Sequence, residues 1–135
     1  MGPGMDMPWT FDRFQAGQAL GSHREALGDA ELAEWLALFP DDRDFLPWMP
    51  PGLAVALVMR AYMRVLAHRP PGNLHAGQEL EIARMAAMGT PLTTALACGG
   101  KTLDRGRRRV TLDATTSGDD GTLFYRSRLT MIWAG

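Results

Sequence analysis

From Met49 to His68 the chain reads Met-Pro-Pro-Gly-Leu-Ala-Val-Ala-Leu-Val-Met-Arg-Ala-Tyr-Met-Arg-Val-Leu-Ala-His, one helix whose walls the remaining residues must supply. Prolines suit a first helical turn, where an N–H would have no partner. Beyond Gly52, the side chains of Leu53, Val55, Ala56, Leu57, Val58, Met59, Tyr62, Met63, Val65 and Leu66 cover nearly every helical direction. A helix that is apolar all round is built to be enclosed. Arg69-Pro70-Pro71-Gly72 then ends it. At about 1.5 Å per residue the element is on the order of 27 Å long. It falls short of the ~20 apolar residues a bilayer needs, and Arg60 and Arg64 interrupt it, so no membrane span is expected.

A chain of 135 residues fits one domain, 1–135, with room for a core. A net charge of −1 gives no general pull toward nucleic acid or anionic lipid. Cys98 stands alone, which excludes an internal disulfide framework and a cysteine metal cluster. His23, His68 and His75 show no metal-ligand spacing with carboxylates or Cys98, and no metal is expected. The start, Met1 to Pro8, lacks the charged and apolar regions of a secretory signal, so the expectation is cytoplasmic.

In chain order, residues 1–10 read as a loose arm, pinned by Trp9, Phe11 and Phe14. Gln18 to Leu27 alternates weakly and is expected to be a first strand. Asp29 is the N-cap candidate of a short amphipathic helix over 30–39, with Leu32, Trp35, Leu36 and Phe39 at helical spacing. Pro40 ends it, and Asp41 to Trp48 reads as a loop leading into the long helix. After Gly72 the period changes to two. Gln78 to Met85, Leu92 to Leu103, Val110 to Ala114 and Leu123 to Trp133 read as strands, separated by the turns Met88–Pro91, Asp104–Gly106 and Ser117–Gly121.

Helices followed by consecutive antiparallel strands make an α+β domain. A four- or five-stranded sheet curled around the long helix buries most of it. A second copy is the natural cover for what stays open, so a homodimer or higher homo-oligomer is expected.

This order of elements resembles the hotdog fold, and specifically its MaoC-like acyl-CoA hydratase/dehydratase group. The likeness is carried by Phe11-x-x-Phe14-x-x-Gly17-x-x-Leu20 with Arg24, by Asp29 to Leu36, and by Pro51-Gly52-Leu53 at the head of the long helix. His75 to Leu80, Arg107 to Leu112 and Leu129 to Trp133 continue it. The resemblance implies an acyl-CoA or acyl-carrier thioester substrate, with coenzyme A present only as part of the substrate and no separate cofactor. MaoC-like hydratases carry an Asp, an Asn-Pro pair and a His before the long helix. Here that segment reads Pro40-Asp41-Asp42-Arg43-Asp44-Phe45-Leu46: Asp41 matches the acid, Asn-Pro is absent, and Leu46 or a neighbour takes the His position.

The candidate catalytic residues are Asp41, Asp42 and Gly52. Asp41, Asp42 and Asp44 read either as holding a general base or as a solvated turn. Gly52 reads either as an amide donor to a thioester carbonyl at a helix N-terminus or as a tight helix start. Trp48, Met49, Leu53, His75 and Arg107 are the candidate substrate-binding residues. Met49, with Met59, Met63 and Met85, reads either as lining an acyl tunnel or as ordinary core, and Arg107, in the cluster Arg105, Arg107, Arg108 and Arg109, reads either as a contact to coenzyme A phosphates or as a solvated strand end. Arg60 and Arg64 must find carboxylates or reach the dimer surface, and read either as structural pairs or as binding an acidic substrate group. Three functions follow: a hydratase/dehydratase with an altered site, an acyl-CoA thioesterase, or a catalytically silent acyl-CoA-binding subunit paired with a second hotdog chain.

Overall fold

The computed structural model describes residues 7–135, so the first six residues of the expected arm lie outside the described residues. Five antiparallel strands, β1 (Ala19–Glu25), β2 (Leu74–Ile82), β3 (Leu92–Asp104), β4 (Arg107–Gly118) and β5 (Leu123–Ile132), pair in the order β1-β3-β4-β5-β2. The last three form a meander, as the turn spacing predicts. β1 and β2 are the two edges, so the chain joining them must cross the sheet. That crossing carries helix α1 (Asp29–Leu38), a 3-10 helix (Pro40–Phe45) and the long helix α2 (Pro51–Val65).

Strand alternation decides which face meets α2. Leu92, Thr94, Leu96 and Cys98 of β3, Val110, Leu112 and Ala114 of β4, and Tyr125, Leu129 and Met131 of β5 are buried. Two apolar clusters follow one another along the helix. Its front half packs Leu53, Ala54 and Leu57 with Leu27, Met49, Leu92 and Tyr125. Its rear half packs Val58, Tyr62 and Leu66 with Phe14, Val110, Leu112, Met131 and Trp133. Each fully buried side chain of this size contributes about 1.5–3 kcal/mol.

The boundaries differ from the sequence reading in ways that have physical reasons. Gly28, not Asp29, is the N-cap of α1; the Glu31 carboxylate accepts its N–H at 3.2 Å, and Asp29 becomes the first helical residue. The expected loop after Pro40 winds into a 3-10 helix. α2 is shorter than the apolar run, because Pro50 serves as its N-cap and Leu66 as its C-cap. β2 begins at Leu74, earlier than the alternation at Gln78, with a register shift between His75 and Gly77.

One face of α2 stays open, as expected: the curled sheet covers one flank, and Arg60, Met63 and Arg64 stand exposed on the other. At the β1 side the approach is close: a Cβ on Gly21 (φ 141°) would lie 3.1 Å from Val65 Cγ1. The arm is pinned as expected. Phe14 is fully buried, edge-on to Trp133 at 4.9 Å, and the Trp133 indole N–H donates to the Trp9 carbonyl at 2.6 Å.

Candidate functional site at the head of the long helix

Pro50 and Pro51 have no N–H, so Gly52 carries the first amide of α2. The Leu53 and Ala54 amides both donate to the Pro50 carbonyl at 2.9 and 3.2 Å. Among the described residues the Gly52 amide has no such partner. Its position at the positive end of the helix dipole suits it to an oxygen that gains negative charge.

Trp35 of α1 decides why this residue is glycine. A Cβ at position 52 would lie 2.5 Å from one indole carbon and 2.8 Å from the next. The indole is fixed on its other sides: its N–H donates to Asp42 Oδ2 at 2.7 Å, and its ring lies 4.6 Å from that of Phe39. Asp42 is therefore a support for Trp35. Asp41, one residue earlier on the 3-10 helix, is exposed. In the same stretch of chain Leu38, Phe39, Phe45, Leu46 and Trp48 are each at least one-third exposed. The segment is anchored behind: the Met49 amide donates to the Ala86 carbonyl at 2.7 Å, Trp48 bridges to Ala87, and the Ala86 amide donates to the Tyr125 hydroxyl at 3.2 Å.

The structure thus gathers Asp41, Asp42, Trp48 and Gly52 at one end of α2. It does not add the other candidates to them. Met49 and Leu53 are core side chains facing Leu27 and Tyr125 rather than a ligand wall. His75 pairs with Met131, beside Tyr62, at the far end of the helix. Arg107 opens β4 next to the β3–β4 turn, in the half of the sheet that holds Val110 and Trp133. About 20 Å of helix separates these residues from Gly52 within one chain.

Sequence reading missed Trp35, because a clamp on a distant glycine leaves no periodic signal. It also missed Glu25 on β1, which lies 3.0 Å from both His23 Nε2 and Arg60 Nε. The spacing of 23 and 25 on a strand was the available clue. The expected carboxylate partner of Arg60 is this residue, while Arg64 reaches the surface. Burial pushes the Cys98 thiol pKa up, and its Sγ faces the Gly100 carbonyl at 3.7 Å. Among the described residues no cluster of three or more His, Cys, Asp or Glu side chains could hold a metal, and no helix is long and apolar enough to cross a membrane.

No family model and no curated protein matches the sequence. Solved structures do match. The (R)-hydratase PhaJ1 from Pseudomonas aeruginosa is 18% identical over 92% of this chain and 84% of its own, with a TM-score of 0.73. A MaoC-like dehydratase from Rhodospirillum rubrum is 19% identical over 92% and 96%, with a TM-score of 0.72. The 1,4-dihydroxy-2-naphthoyl-CoA thioesterase Slr0204 from Synechocystis is 14% identical over 83% and 80%, with a TM-score of 0.62. The fold is the hotdog fold: an antiparallel sheet curled around one long helix.

Proposed function

We propose that this chain handles acyl thioesters, as a MaoC-like hydratase/dehydratase with an altered site. The observation that carries the reading is an exposed Asp41 on the 3-10 helix that leads into α2, whose first amide, that of Gly52, has no backbone partner. The fold likeness to an (R)-hydratase and to a MaoC-like dehydratase supports it. In such a reaction the thioester oxygen would accept the Gly52 N–H, which stabilises the charge that develops as water adds to the β-carbon. Asp41 would take the proton released by that water and pass it to the α-carbon, so that one water is added and the carboxylate is restored. Trp48 would cover the bound chain. The substrate is a coenzyme A or acyl-carrier thioester, and the chain acts in the cytoplasm as a homodimer. Its unpaired β2 edge and the open flank of α2 are the surfaces for a second copy.

Leu46 or a neighbour stands where the resemblance would put a histidine, which favours hydrolysis of the thioester, a reaction needing only a carboxylate, as the second reading. The test is turnover of crotonyl-CoA and 3-hydroxyacyl-CoA, with free-thiol release from the same panel. Hydration abolished in Asp41→Asn supports the first reading, and thiol release supports the second. If neither occurs and a second hotdog chain co-purifies, the chain is a silent subunit.

A further inference from the structure

The β3–β4 hairpin carries a concentration of charge that the chain total hides. Residues 101–109 read Lys-Thr-Leu-Asp-Arg-Gly-Arg-Arg-Arg, five cations and one acid in a chain whose net charge is −1. All nine are exposed. Among the described residues Arg105, Arg107, Arg108 and Arg109 make no ion pair. Lys101 is tethered, its Nζ donating to the Phe11 carbonyl at 3.0 Å.

The hairpin also projects. Pairing beside β3 ends at Gly17, whose amide donates to the Cys98 carbonyl at 2.8 Å, and pairing beside β4 ends at Trp133, whose amide donates to the Arg108 carbonyl at 2.6 Å. Beyond Cys98 and Arg108 neither side has a strand neighbour among the described residues. The turn itself is two residues, Arg105 (φ 52°) and Gly106 (φ 77°), both left-handed as a tight hairpin requires. Arginine is uncommon in that conformation, so the tip accepts some backbone strain and presents a cation. Leu103, 68% exposed, faces water two residues from Arg105, paired with Arg108.

The other end of the molecule has the opposite sign. At the head of α2, helix α1 and the 3-10 helix carry six acids and one arginine. A negatively charged surface therefore attracts the hairpin and repels the head, which fixes the orientation of approach.

We propose that the hairpin docks on an anionic lipid surface, with its arginines among the headgroup phosphates and Leu103 entering the apolar boundary. Two residues of strand put Leu103 about 7 Å behind the turn, within the roughly 5–10 Å to which interfacial side chains sink. An exposed leucine among cations suits lipid, whereas the hairpin offers no aromatic ring on which a nucleic-acid base could stack. The hairpin belongs to neither the β2 edge nor the open flank of α2, and its docking does not rest on the acyl-thioester reading.

Co-sedimentation of the full chain with vesicles tests this, using phosphatidylcholine alone and an equal mixture with phosphatidylglycerol. The mixture is expected to bind at least about tenfold more tightly, since each basic residue near such a surface contributes about fivefold. Added salt should weaken that binding as the screening length shrinks to about 10 Å at 0.1 M. Arg105→Glu combined with Arg107→Glu should reduce binding to the level of the neutral vesicles. Leu103→Ser, which leaves every charge in place, should weaken it severalfold and keeps the test decisive if the double variant fails to fold. Arg126→Glu, an exposed change on the outer face of the sheet, should leave it within about twofold. Equal binding to both vesicles, binding that survives the double substitution in a folded chain, or an equal loss in Arg126→Glu overturns the proposal. So does capture of a single-stranded oligonucleotide without binding to the anionic vesicles, which would give the hairpin to nucleic acid.

Discussion

The edge of the Trp35 indole fills the space where a side chain on Gly52 would begin, and Asp42 accepts the indole N–H at 2.7 Å. The head of the long helix is therefore set by three residues from three consecutive elements. This gives one glycine a packing reason distinct from whatever its amide does.

Gly52→Ala is expected to destabilise the protein by about 1–3 kcal/mol, as overpacking does where the neighbour cannot swing away. Urea denaturation measures it. In a Trp35→Leu background the same alanine should cost much less. Equal losses in both backgrounds would mean that the indole is not the obstacle.

The two neighbouring aspartates should separate stability from activity. Asp42→Ala leaves the Trp35 N–H without its acceptor and is expected to cost roughly 1–2 kcal/mol. Asp41→Asn is expected to leave the denaturation midpoint within about 0.5 kcal/mol of wild type. If Asp41 is the base, the same variant lowers turnover by about 10²–10⁴. A large stability loss in Asp41→Asn would assign it a structural role instead.

Phe14 closes the rear of the core between Trp9 and Trp133, fully buried. Phe14→Ala should cost about 3–5 kcal/mol, a large part of the roughly 5–15 kcal/mol by which a domain is stable. Loss of the N-terminal arm from that end follows, and hydrogen exchange at the Trp9 amide, which donates to the His68 carbonyl, reports it.

Burial raises the pKa of the Tyr125 and Tyr62 phenols above their ordinary value. The folded chain thus holds these protons more tightly than the unfolded one. Their contribution is intact below about pH 10 and is lost as pH rises through the folded values. Urea midpoints taken from pH 8 to 11 should fall at the alkaline end, and Tyr125→Phe should flatten the fall. An unchanged slope in that variant would assign the alkaline loss elsewhere.

The long helix, the meander and the pinned arm were legible from residues 49–68, 74–133 and 9–14, because apolar periodicity reports burial directly. Which end of the sheet each candidate occupies was not. His75 and Arg107 lie on strands whose spacing is plain, yet spacing along a strand does not say whether it meets the head or the tail of α2. Met49 and Leu53 read as ligand-facing because they flank Gly52; the chain at Ala86–Met88 folds over that flank and makes them core. Trp35 looked like one more residue of an amphipathic stripe, and only the tertiary approach of α1 to α2 distinguishes it.

The placement of β1 and β2 at opposite margins fixes an order of assembly. β3, β4 and β5 are joined by tight turns and can zip together locally, whereas Gly21 must find Leu96 and His75 must find Met131 across long stretches of chain. Closing such loops is slow relative to hairpin formation. The hairpins should therefore collapse first and the two margins join late, which leaves the helix between them covered by β3, β4 and β5 alone until the final step.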